Sequence, residues 1–166
     1  MLEYIRQRLL AILERIDMID ETRNKLYDTA VDLLNKDASP KDAANDRYGC
    51  MESVSSIIQK AFPKMRFPHI LSTMEGYDYF LTSPSFEQID APEKGCIIIS
   101  PTGTGNGNLT NGHVGIVGKN LAEDNSLWIM SNDSRNGLWS ANYTVASWTK
   151  YYNGKGGMPV IFFRVV

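Results

Sequence analysis

Apolar residues keep a helical step as far as Phe62 and fall into short strand-like runs from Gly95 onward. Leu2, Ile5, Leu9, Ile12, Leu13, Ile16 and Ile19 recur at three- and four-residue intervals, and Leu26, Ala30, Leu33 and Leu34 resume the series. That period predicts one long helix, or two consecutive ones, over residues 2 to about 36. A second stripe, Met51, Val54, Ile57, Ile58, Ala61 and Phe62, stops at Pro63, which cannot continue a helix. Residues 64–92 show no clear period and are expected to be irregular with one short helix. After Gly95 come four strand candidates, CIIIS, HVGIVGK, LWIMSN and PVIFFRVV, each a short apolar run bounded by turn residues. Val145, Trp148 and Tyr152 suggest a helical turn between the last two. Helices first and an antiparallel sheet afterwards define an α+β class.

The 166 residues are enough for one domain with its own core. A net charge of -2 gives no basis for a nucleic-acid partner. Two cysteines make no disulfide framework. Cys50, His69, Cys96 and His113 lack the close paired spacing of a zinc site. The first twenty residues carry charges among their apolar positions, including Arg6, Arg8, Glu14, Arg15 and Asp17. They form neither a membrane span nor a secretory leader. The expectation is accumulation in the cytoplasm, with release to the outside depending on another factor. The N-terminal stripe is expected to pack on the rest of the domain. A partner-protein helix is the alternative, and mixed charges on the polar face argue against a membrane surface.

The chemistry centres on DRYGCMESV, where a polar stretch turns into the second helical stripe at Cys50. Unpaired N–H groups and the dipole at a helix start favour a thiolate and can hold an oxyanion. Cys96, inside an apolar strand, is expected to be a small inert core residue. A nucleophilic cysteine needs a base, and His113 stands where a Gly/Asn-rich loop enters a strand. His69, between Pro68 and Ile70, suits a structural or surface role better. The base in turn needs a group that fixes its tautomer. The next strand candidate ends in Asn132 and Asp133, which point to opposite faces. Period alone does not choose between them.

A cysteine opening a helix, then GCIII, then GHVGIV, then a strand ending in Asn resembles the CHAP amidohydrolase/peptidase family and its NlpC-type relatives. These are papain-like cysteine hydrolases of bacterial cell-wall peptides. The resemblance covers about residues 45–166, leaving residues 1–44 as a helical N-terminal segment outside the family core. It implies Cys50 as nucleophile, His113 as base and Asn132 as the orienting residue, with Asp133 in reserve. It also implies an oxyanion or substrate contact at Tyr48. Trp139, in an Asn-Gly-Leu-aromatic turn that relatives also carry, is the groove candidate, whereas Trp128 and Trp148 are expected in the core. The implied activity is hydrolysis of an amide in peptidoglycan, as endopeptidase or N-acetylmuramoyl-L-alanine amidase, in the manner of a phage lysin. No metal or organic cofactor is required.

The chain departs from the family where Cys96 occupies a position that many members give to an acidic residue. The loop TGTGNGNLTNG lacks the Gly-Lys-Ser/Thr ending of a phosphate cradle and should rim the cleft instead. Two other functions use the same residues differently. One is a toxin-like cysteine peptidase or deamidase acting on a protein. The other is a catalytically silent binding module of the same fold.

Overall fold

A computed structural model describes residues 1–39, 48–107, 111–120 and 126–166. The first helix, α1, runs from Leu2 to Asp32. Two further helices follow, α2 (Cys50–Ala61) and α3 (Thr73–Thr82), joined through a short 3-10 turn at Pro63–Met65. Then come β1 (Phe86–Ile89), β2 (Ile97–Ser100), β3 (His113–Asn120), β4 (Leu127–Asp133) and β5 (Leu138–Thr144). A short α4 (Val145–Trp148) continues into a π-helical turn at Thr149–Lys155 before β6 (Ile161–Val165). All pairings are antiparallel, in the order β1-β6-β2-β3-β4-β5. The α+β class therefore stands, with an N-terminal helix and a six-stranded antiparallel sheet.

Both faces of the sheet are covered, so its central strands are apolar on both sides. Alternation along the strands sorts them. Ile97, Ile99, Val114, Ile116, Met130 and Phe163 face α2, whose Met51, Val54, Ile57 and Ile58 are fully buried against them. Cys96, Ile98, Val117, Ile129 and Phe162 face the other way, onto Trp148, Tyr152 and Met158. Cys96 is a core residue, and burial pushes its thiol up to about 12.

Two strands were not visible in the amino-acid pattern. The four residues of β1 form an edge strand paired only to β6. The sequence of β5, LWSANYT, mixes polar and aromatic residues. The expected turn after Thr144 is present, capped by reciprocal hydrogen bonds between Thr144 and Ser147.

The expectation for the N-terminal stripe needs correction. Leu26 and Ala30 are fully buried in the α2-side cluster. Thr22 donates to the Val165 carbonyl at 3.1 Å, and Arg23 pairs with Glu93 at 2.6 Å. Gly95, at φ +81°, brings the chain so close to Arg23 that a Cβ would strike that residue's carbonyl. N-terminal to Ile19, however, the helix leaves the domain. Leu2, Leu9, Ile12 and Leu13 are all more than half exposed. At 1.5 Å per residue a 31-residue helix spans about 46 Å, and only its C-terminal part meets the domain. Much of the expected linker, residues 40–47, lies outside the described residues.

Candidate active site

The site forms where α2 begins and β3 begins. Cys50 is the first residue of α2, with Gly49 as its N-cap. Its thiol is buried, and the backbone N–H groups of Met51, Val114 and Cys50 itself point at the sulfur. Val114 follows His113 directly, so the thiol lies against the backbone that carries the histidine. Both side chains line one cavity of about 560 Å³. Tyr48, Asn132, Asp133 and Tyr143 line it too. Thr102, Asn111 and Gly112 place the ends of the glycine-rich loop at its rim. Those ends are tied together, because Gly112 N–H donates to Thr102 Oγ1 at 2.9 Å and Thr102 shares a 2.8 Å hydrogen bond with Thr73 at the start of α3. Asn108 to Thr110, in the middle of the loop, lie outside the described residues.

His113 is held by an aromatic pair and by a polar contact. Its ring stacks on Trp148, centroids 5.1 Å apart at 21°, and on Tyr152 at 5.8 Å and 22°. Trp148 is itself fixed by donating its indole N–H to Ser100 Oγ at 3.1 Å. The other contact is polar. His113 Nε2 is 2.9 Å from Ser131 Oγ, and Ser131 donates to Asn142 Oδ1 at 2.6 Å. An amide oxygen only accepts, so the serine proton is committed to Asn142. Ser131 must then accept from the histidine. With the amide oxygen of Asn142 turned to the serine, Nε2 carries the ring proton, and Nδ1 keeps the lone pair that a general base needs.

The side chains hydrogen-bonded in line with His113 are thus Ser131 and Asn142, where the family resemblance implied Asn132, with Asp133 in reserve. Parity explains the change. Gly115 pairs with Ser131, and His113 shares the Gly115 face of β3. Ser131 lies on the same side of β4 as Ile129, whereas Asn132 shares the α2-facing side with Met130. Asn142 arrives through a β-bulge. Met130 pairs with Ala141 and Ile129 with Tyr143, which leaves Asn142 as the extra residue. Bulges re-aim side chains in this way. The one available signal was that Ser131 shares Asp133's face. The register that brings it to His113 cannot be counted from the sequence alone.

Asp133 acts at longer range. Arg135 hydrogen-bonds its carboxylate through Nε at 3.0 Å and Nη2 at 2.6 Å. These bonds hold its pKa below the usual value. Its negative charge favours a protonated His113, but burial outweighs it and lowers the histidine to about 4. Burial likewise raises the Cys50 thiol to about 11, against the lowering effect of the N–H groups at the helix start. Both groups are therefore uncharged at neutral pH, a thiol and an imidazole lining the same cavity.

Trp139 is not a groove residue. It is fully buried in the α2-side cluster and donates its indole N–H to the Ala30 carbonyl at 3.0 Å. The segment after α1 runs along it, with Asn35 N–H donating to Trp139 O at 2.8 Å and Trp139 N–H to Lys36 O at 2.9 Å. The aromatics at the cavity are Tyr48, Tyr143, Tyr151 and Tyr152. His69 is structural, its Nε2 lying 3.1 Å from Glu52 in the first turn of α2.

The chain matches no family model, no curated protein and no solved structure. A buried thiol at a helix start, a single-tautomer imidazole and backbone N–H groups directed at the sulfur form a set suited to acyl transfer. Among the described residues no group of three or more His, Cys, Asp and Glu side chains is placed to hold a metal ion.

Proposed function

We propose that this chain is a papain-like cysteine hydrolase of the CHAP/NlpC type that cleaves an amide bond in bacterial cell-wall peptides. The observation that carries the reading is the junction of Cys50, at the first turn of α2, with a His113 whose Nε2–H is committed to the Ser131–Asn142 relay. A cysteine helix packed on an antiparallel sheet, with the histidine on a neighbouring strand, is the layout of such a core.

In the reaction, substrate entry displaces water and His113 Nδ1 takes the thiol proton. The Cys50 sulfur bonds to the amide carbonyl carbon, and the N–H of Cys50 holds the oxyanion. The charge of Asp133 stabilises the imidazolium that forms. The C–N bond then breaks, and the imidazolium gives its proton to the leaving amine. Water, deprotonated by the same nitrogen, attacks the thioester, and the thiol is restored. These steps need no metal or organic cofactor. No helix among the described residues is long and apolar enough to cross a membrane.

The test is digestion of purified peptidoglycan of several stem-peptide types, with products identified by mass spectrometry. Released intact stem peptides would identify an amidase; shortened or uncrosslinked muropeptides would identify an endopeptidase. If the folded chain releases nothing from any wall but cuts or deamidates a protein, the wall substrate is wrong and the chemistry stands.

A further inference from the structure

The exposed part of α1 carries a regular seam. Leu2, Ile5, Leu9, Ile12, Ile16 and Ile19 alternate steps of three and four, the a and d positions of a heptad. From Leu2 to Ile16 these side chains are about half exposed or more, a contiguous apolar strip far larger than the scattered apolar residues of an ordinary surface. The same helix face, continued, is the one that Leu26 and Ala30 bury in the domain. We infer that the seam is covered by α1 of a second copy of this chain, in an antiparallel pair of helices.

Orientation follows from what surrounds the seam. From Ile19 onward the domain itself occupies that face, through Thr22, Leu26 and Ala30. A parallel partner helix would run into it. Antiparallel packing matches Leu2 with Ile19, Ile5 with Ile16 and Leu9 with Ile12, each twice by symmetry. It brings Leu2 of one copy to the apolar groove lined by Met18, Ile19, Phe62 and Val166 at the root of the other helix.

Charge agrees at the scale of the whole segment. Residues 1–10 hold two arginines to one glutamate. Residues 11–21 hold four carboxylates to one arginine, Asp20 being shared with Arg23. Antiparallel packing sets the basic half on the acidic half; parallel packing would set acid on acid. One local contact opposes it. Arg8 and Arg15 flank the seam on the same side and face each other across the two copies. Long solvated side chains can spread apart, whereas the domain cannot leave the seam.

The experiment is sedimentation equilibrium of the full chain with Leu9→Asp and Arg8→Glu, and disulfide trapping with two cysteine variants, the fold of each verified by circular dichroism. Wild type is expected at twice the chain mass at micromolar concentration, and Leu9→Asp as a folded monomer. Arg8→Glu turns both like-charge contacts into ion pairs and should tighten the dimer about threefold to tenfold. In a parallel pair Arg8 would flank Leu13, and this gain would be absent. Ile5→Cys mixed with Ile16→Cys should give a disulfide-linked heterodimer. Ile5→Cys alone should not, because its two sulfurs would lie about 16 Å apart along the helices. A monomeric wild type, a dimer unaffected by Leu9→Asp, or association only with anionic lipid vesicles would overturn the inference.

Discussion

His113 packs against a pair of mutually contacting aromatic rings, Trp148 and Tyr152, and against a hydroxyl whose proton is already committed. Stacking on Trp148 fixes the ring plane, and the Ser131–Asn142 relay fixes the tautomer. Removing Ser131 leaves the ring plane stacked but its tautomer and flip state unfixed. Ser131→Ala is expected to lower kcat about 10- to 100-fold with a smaller change in KM, the scale at which misplacement acts. Asn142→Ala should follow in the same direction, since Ser131 could then point its proton at the histidine. Steady-state kinetics on a soluble wall peptide would show both. The pH behaviour follows from burial. His113 titrates near 4 instead of the ordinary 6.5, so its acid limb in kcat/KM belongs near pH 4. The same depression makes stability fall with acid. The unfolded chain takes up this proton from about pH 6.5 downward and the folded chain only near 4. The stabilisation is complete above that window and lost across it. Melting temperature measured against pH should show this slope in wild type and lack its His113 part in His113→Asn. Cys50, raised to about 11, should alkylate faster with every step of pH up to that value. The thiolate tendency of a helix start is present but outweighed by desolvation.

At the scale of elements, local periodicity was the readable signal. The helical step gave α1 and α2, and apolar runs gave β2, β3, β4 and β6, because each buries a regular face. β5 escaped because its one large apolar anchor, Trp139, sits among polar residues, one of which is the bulged Asn142. The same blindness misplaced Trp139. A tryptophan in a polar turn looks exposed until the chain after α1 is seen to close over it. α1 was recognised as amphipathic, but how far its stripe would find the domain depends on tertiary geometry. Substitutions divide the helix accordingly. Leu26→Ala should cost about 2–5 kcal/mol in chemical denaturation, the range for emptying a packed site. Leu9→Ala should leave the unfolding free energy of the isolated domain within about 0.5 kcal/mol, as exposed positions do. In β3, a Cβ at Gly115 would meet Met130 O at 2.6 Å and the Ile129 side chain at 2.8 Å. Gly115→Ala should therefore loosen the β3–β4 register that brings Ser131 to His113, lowering thermal stability and activity together.

For the whole molecule, the sheet buried on both faces is what makes the site possible. α2 covers one face and the α4 segment the other. The cysteine comes from the first layer, the aromatic clamp on the histidine from the second, and they meet only where β3 begins. The residue types at the centre, Cys50 and His113, were legible from their local settings. The relay that orients them was not, because it depends on strand register and a bulge. The measurement that tests the account most directly is hydrolysis of wall peptides by wild type and by Cys50→Ala, run side by side on preparations with the same melting curve. Wild type is expected to cleave and the variant to show nothing above background. Cleavage by Cys50→Ala at the wild-type rate would contradict it.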